Sequence, residues 1–218
     1  MPQPLYVFDA YGTLFDVNAA VMRNAAEIGP SATRLAELWR AKQLEHSWVR
    51  SLMGRPLDFW SLTETALDHA GAVCGGLSDA LRHRLLAAYA ELDAYSDVRP
   101  TLEALRRRGA RTAILSNGST PMLSTAVAAA GLADALDAVI SVEAAGVYKT
   151  DPRSYQLVTD RFGVAPHEVK FVSSNRWDVA GATAFGFHAV WINRSNQPDD
   201  YLDLPPVAVL ETLSGLLV

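Results

Sequence analysis

The stretch Leu5-Tyr6-Val7-Phe8-Asp9-Ala10-Tyr11-Gly12-Thr13-Leu14 decides how the chain is read. Its first residues form an apolar run with aromatic and β-branched side chains, which predicts a strand buried on both faces. The run breaks at Asp9 and turns through Gly12, the usual chemistry of a strand leaving a sheet. Taken alone, Asp9 reads equally well as a turn or helix-capping aspartate.

Working outward, similar short runs occur at Arg111–Leu115, Ala138–Val142, Val169–Val172 and Ala189–Ile192. They alternate with helical patterns at Pro121–Ala130, Pro152–Phe162 and Asp178–Phe185, which predicts βαβ units and a parallel sheet with helices on both faces. Between Leu14 and this region lie patterns without strand runs. Ala32–Ser51, Leu57–Ala70 and Ser78–Leu92 each space apolar residues at i, i+3, i+4 and i+7. The expected fold is therefore α/β, a Rossmann-like parallel sheet of five to six strands with a helical cap inserted after the first strand. The expected division is a core of residues 1–15 and 96–218 and a cap of residues 16–95. An insertion at a strand's exit stands over the carboxyl edge of the sheet, where open α/β sheets bind ligands.

Composition narrows the function. The 218 residues are 50% hydrophobic and 20% charged, the proportions of a folded globular chain. A net charge of −5 gives no basic footprint for nucleic acid. The run Arg106-Arg107-Arg108 is explained by its place at a helix end before Gly109. The lone Cys74 forms no internal disulfide and reads as an incidental loop residue. No apolar run reaches the roughly 18 residues a membrane helix needs, and Met1-Pro2-Gln3-Pro4 lacks a signal peptide's basic start. The expected setting is cytoplasmic, with neither membrane nor nucleic acid as partner.

The predicted strands exit into unusual polar residues: Asp9 to Thr13, Ser116-Asn117-Gly118-Ser119, Tyr148-Lys149-Thr150, and Ser173-Ser174-Asn175-Arg176-Trp177-Asp178. In a parallel sheet all of them converge on one edge. Two carboxylates, a cation, and hydroxyl and amide donors around one cleft suit covalent catalysis by a carboxylate. The histidines show no metal-ligand spacing, and G-x-S-x-G and G-x-G-x-x-G are both absent.

With the helical segment Leu38-Trp39-Arg40-Ala41-Lys42-Gln43-Leu44-Glu45 and with Tyr155, these motifs resemble the haloacid dehalogenase superfamily, and within it the type II (S)-2-haloacid dehalogenases. Most relatives on that fold are magnesium-dependent phosphatases, and two positions speak against that chemistry here. Tyr11 stands where phosphatases carry a second aspartate that protonates the leaving group, and a phenol is a poor substitute. Ser174 falls where a magnesium-supporting carboxylate is usual. No metal and no other cofactor is expected.

The resemblance implies that Asp9 displaces halide from C2 of a small 2-haloacid to form an ester. Water activated by Asp178 then hydrolyses the ester. Lys149 is expected to offset the mutual repulsion of Asp9 and Asp178, while Thr13, Ser173 and Asn175 orient carboxylates and water. Ser116 and backbone N–H groups near Asn117 are candidates for the substrate carboxylate, with Thr13 and Tyr155 shaping that area. Arg40 and Asn117 would cradle the halide, with Trp177 against it and Tyr11 in the same pocket. Phe59 and Trp60 are candidate walls. Thr150 replaces a usual proline, His46 a common tyrosine and Arg176 a smaller residue. The resemblance also implies a homodimer. The rivals are a magnesium-dependent phosphatase and a non-catalytic binding protein on the same fold.

Overall fold

A computed structural model describes residues 3–218. Met1 and Pro2, part of the leader segment considered above, lie outside the described residues. In chain order the elements are β1 (Leu5–Phe8), α1 (Ala19–Met22), α2 (Ala25–Ile28), α3 (Ala32–Leu52), α4 (Phe59–Val73), α5 (Asp79–Ala90) and α6 (Val98–Arg107). Then come β2 (Arg111–Ser116), α7 (Thr120–Ala129), β3 (Ala138–Ser141), α8 (Pro152–Phe162), β4 (Val169–Ser173), α9 (Arg176–Phe185), β5 (His188–Ile192) and β6 (Ala208–Leu210). The short helices α1 and α2, and strand β6, escaped the expectation. Each has too few residues to show a period.

All strand pairings are parallel, in the order β3-β2-β1-β4-β5-β6. The chain winds outward from β1 to β3, returns to the other side of β1, and winds outward again. Right-handed crossovers then place the two sets of helices on opposite faces. The reversal between β1 and β4 is the switch point at which such sheets open a crevice. Phe8 pairs with Ile114 and with Val172, so Asp9, Ser116 and Ser173 reach the same edge. Every residue of β1 is buried, as a continuous apolar run requires.

Helices α1 to α5 occupy the interval between β1 and β2, joined to the sheet by paired linkers. Phe15 bridges Ala94 antiparallel, Tyr95 N–H donates to the Leu14 carbonyl at 3.0 Å, and Asp16 N–H donates to the Asp93 carbonyl at 3.0 Å. Arg194 binds both linkers, pairing with Asp97 through two contacts of 2.9 and 3.0 Å and donating to the Thr13 carbonyl at 3.3 Å. Arg176, which stands where a smaller residue is usual, turns inward. It is buried and pairs with Asp199 at 2.7 Å, and it donates to the carbonyls of Tyr201 and Leu204, so it anchors the chain after β5.

Candidate active site

Asp9 leaves β1 with its N–H still donating to the Val172 carbonyl of β4 at 2.9 Å, which fixes its backbone as if it were sheet. Its carboxylate is held unevenly. Oδ2 accepts from Asn175 Nδ2 at 2.7 Å, from Thr13 Oγ1 at 3.0 Å and from Ser173 Oγ at 3.5 Å. Among the described residues Oδ1 accepts only from Lys149 Nζ, at 3.1 Å. Gly12, at φ +91°, turns the chain so that Thr13 folds back on the carboxylate, and a Cβ there would meet Asn175 Nδ2 at 3.5 Å. Thr13 Oγ1 also accepts from Ser174 N–H at 2.8 Å, which ties the β1 exit to the β4 exit.

Lys149 is wholly buried and joins three groups. Its ammonium donates to Asp9 Oδ1, to Asp178 Oδ2 at 2.8 Å and to the Leu115 carbonyl at 2.7 Å, and it lies 4.9 Å from the centre of the Phe171 ring. A buried ammonium demands such saturation. The Asn117 side-chain oxygen accepts from Lys149 N–H at 3.0 Å. That leaves Asn117 Nδ2 buried and without a hydrogen-bond partner among the described residues. Ser116 Oγ accepts from Gly118 N–H at 3.1 Å, and its own hydrogen remains to be donated.

Asp178 is not a helix cap. Asn175 takes the cap position of α9, and Asp178 lies in the first turn facing inward with no exposure. Burial pushes its carboxyl up to about 6 against the opposing pull of Lys149. Tyr155 stands apart from its expected place at the substrate carboxylate. It is fully buried behind Asp178, donates to Asp178 Oδ1 at 2.8 Å, and packs against Phe171, Phe185 and Phe187. Gly181 makes room for it, since a Cβ there would fall 2.5 Å from the Tyr155 hydroxyl and 2.7 Å from Thr150 Cγ2.

Tyr11 wedges between sheet and helices, stacked on Tyr89 at 5.7 Å and set 6.3 Å from Phe59. Burial pushes its phenol above the ordinary range, so it is an even poorer proton donor than a free tyrosine. Its carbonyl accepts from Asn175 Nδ2 and from Arg40 Nη2, both at 3.1 Å. That contact brings Arg40 of α3 to the segment carrying Asp9. The Tyr11 ring also lies against Gly118, where a Cβ would come within 2.6 Å of Cε2. Trp177 meets Trp48 edge-on at 5.4 Å and lines a largely apolar cavity of about 570 Å³ with Leu52, Tyr148 and Thr150. Trp60 packs half-buried against the core, and His46 lines a separate cavity with Val49 and Met53.

Sequence reasoning missed the polar network behind Arg40, made of Gln43, Thr63 and Tyr89. The i, i+3 spacing of Arg40 and Gln43 on one helix was the available signal. Among the described residues no group of three or more His, Cys, Asp or Glu is placed to hold a metal ion.

The chain matches the family model of haloacid dehalogenase-like hydrolases over residues 4–186. It is 54% identical to (S)-2-haloacid dehalogenase 1 of Pseudomonas sp. (strain CBS-3), covering 96% of this chain and 93% of that one. It is 50% identical to (S)-2-haloacid dehalogenase 4A of Burkholderia cepacia, covering 96% and 91%. The solved L-2-haloacid dehalogenase from Xanthobacter autotrophicus with chloropropionic acid covalently bound is 37% identical and superposes with a TM-score of 0.88, covering 99% and 97%. With that sheet order, that edge and these relatives, the chain belongs to the haloacid dehalogenase-like hydrolase family.

Proposed function

We propose that this enzyme hydrolyses small (S)-2-haloalkanoic acids to (R)-2-hydroxy acids and halide, without a metal, through an ester of Asp9. The observation that carries the reading is the asymmetry of the Asp9 carboxylate: Oδ2 is held by Thr13, Ser173 and Asn175, whereas Oδ1 is held by Lys149 alone. The less committed oxygen is the nucleophile. Oδ1 attacks C2 from the face opposite the halide, the carbon–halogen bond breaks with its electron pair, and C2 inverts. Asn117 Nδ2 and the uncommitted N–H groups of Arg40 receive the departing anion. No proton is needed there, which suits a site whose Tyr11 phenol is so weak an acid.

In the second step Asp178 takes a proton from water, and the water oxygen bonds to Asp9 Cγ. Negative charge grows on Oδ2, where Thr13, Ser173 and Asn175 already point, an oxyanion hole preformed in the resting enzyme. The Cγ–Oδ1 bond then breaks, and the hydroxy acid leaves with Oδ1. The proton held by Asp178 passes to that oxygen beside the Lys149 ammonium, which contacts both carboxylates, and the new Asp9 carboxylic acid loses its proton to solvent, restoring the nucleophile. A carboxyl held at about 6 is a stronger base than a free aspartate and remains mostly ionised at neutral pH. Ser116 and the N-terminus of α7 hold the substrate carboxylate.

Residues 16–95 act as the cap over this edge, joined through the linkers that Arg194 clamps, with residues 1–15 and 96–218 as the core. The chain works as a cytoplasmic homodimer, for which exposed Val49, Leu52 and Met53 at the end of α3 offer an apolar face. Each enantiomer of 2-chloropropionate is incubated with the enzyme in chelator, and chloride and lactate are measured. Chloride and inverted lactate from the (S) form alone are expected. Chloride from neither enantiomer, or only with added magnesium, overturns the reading.

A further inference from the structure

Arg40, half-buried on α3, is held by neutral groups. Its Nη1 donates to Gln43 Oε1 at 2.8 Å and its Nη2 to the Tyr11 carbonyl at 3.1 Å. Both acceptors are neutral. Among the described residues no carboxylate lies within 4.0 Å of it, whereas the similarly half-buried Arg194 pairs with Asp97.

The acceptor on Gln43 cannot turn away. Thr63 Oγ1 donates its only hydrogen to the Phe59 carbonyl at 2.7 Å, so it must accept from Gln43 Nε2 at 2.6 Å. This pins the amide nitrogen toward α4 and leaves Oε1 facing Arg40. The Tyr89 hydroxyl, 3.0 Å from Nε2 and 3.2 Å from Oε1, closes the network from α5. Gln43, Thr63 and Tyr89 are all buried, and the Tyr89 ring is held between Trp39 at 5.0 Å and Tyr11 at 5.7 Å. A saturated buried network of this kind fixes one geometry.

We propose that Gln43 is a positioning residue that aims the Arg40 guanidinium with an uncharged acceptor, so that its full positive charge is left for the departing halide. The proposal rests on the reading in which Arg40 meets that anion. A carboxylate in the same place would still accept from Arg40, although its second oxygen would face Thr63 Oγ1 without the hydrogen that Nε2 supplies, and it would quench the field of Arg40, because an ion pair in a poorly solvated site neutralises both partners. The charge of residue 43, and not only its hydrogen bond, therefore sets halide affinity. The effect falls on the displacement step, since the ester is hydrolysed by groups of the sheet edge.

The test compares Gln43→Glu, Gln43→Met and Arg40→Lys with the unaltered enzyme. It reads product inhibition by bromide, the rate of bromide release from 2-bromopropionate, and the single-turnover decay of the Asp9 ester followed by protein mass. In Gln43→Met the Arg40 side chain has to be ordered on binding, which is expected to weaken bromide inhibition by roughly 2- to 10-fold. Gln43→Glu is expected to weaken it further, with bromide release slowed in parallel and ester decay within about twofold of the unaltered rate. Unchanged bromide inhibition in Gln43→Met overturns the proposal, as does inhibition in Gln43→Glu equal to that of the unaltered enzyme. Slowing of both steps together also overturns it, since that is the mark of a merely structural role. If Arg40→Lys retains full bromide inhibition, the assignment of Arg40 itself fails. If the unaltered enzyme releases no halide, the proposed function fails.

Discussion

Replacing Tyr155 by Phe removes one oxygen from a packed site and should move the pH profile of ester hydrolysis. The ring stays supported, because Phe171, Phe185 and Phe187 surround it at centroid distances of 5.8 Å. What is lost is the 2.8 Å hydrogen bond from the hydroxyl to Asp178 Oδ1. A hydrogen bond to a charged group contributes about 1.5–3 kcal/mol, and 1.36 kcal/mol corresponds to one pKa unit. That bond favours the ionised carboxylate, so its loss raises the carboxyl further by about 1–2 units. Asp178 is already pushed up to about 6. The acid limb of ester decay should therefore move to roughly pH 7–8. The assay is single-turnover decay of the Asp9 ester between pH 5 and 9, with halide displacement followed in parallel as a step that does not use Asp178 as base. An unmoved acid limb, or a uniform loss at every pH, would refute the assignment of Asp178 as base and Tyr155 as its support.

Lys149→Met leaves the wholly buried Asp178 and the largely buried Asp9 without their shared cation. Breaking such a pair costs about 3–5 kcal/mol, and urea denaturation should show a loss of that order together with loss of halide release. In the variant Asp178 is raised still further above its unfolded value of 3.8, so its contribution to stability is intact below that value and lost as pH rises through the folded one. The deficit should thus be larger at pH 8 than at pH 5. Asp178→Asn should release one equivalent of halide and then stop, with the ester found by mass on the peptide carrying Asp9; repeated turnover would remove Asp178 from the mechanism. Gly118→Ala places a Cβ 2.6 Å from Tyr11 Cε2, in a ring already stacked on Tyr89. Overpacking of this kind costs about 1–3 kcal/mol by denaturation, and halide displacement should slow because Arg40 and Asn175 both use the Tyr11 carbonyl.

The polar edge was legible because strand exits are local and a parallel sheet converts them into neighbours. Asp9, Asn117, Ser173 and Asp178 meet there for that reason. Lys149 followed from the same logic, although its burial under both carboxylates was visible only in three dimensions. The direction of a side chain leaving a helix was not legible. Tyr155 on α8 points at the backbone and carboxylate of α9 because Gly181 leaves a gap, and no spacing along the chain encodes that pairing. The network of Gln43, Thr63 and Tyr89 draws one residue from each of three helices and so leaves no local pattern. Arg176 looked like an intruder beside Asp178. Its partners lie 23 to 28 residues further on, in a stretch with no secondary structure to predict.

The most direct measurement of the account is the path of oxygen in one turnover. The enzyme, in excess over (S)-2-chloropropionate, reacts once in heavy-oxygen water, and both the lactate and the peptide containing Asp9 are weighed by mass spectrometry. If Oδ1 attacks C2 and water attacks Cγ, the lactate carries the ordinary oxygen of Asp9 and the heavy oxygen is found in the peptide. Heavy oxygen in the lactate of that first turnover, with the peptide unlabelled, would mean that water attacks C2 directly and that Asp9 forms no ester.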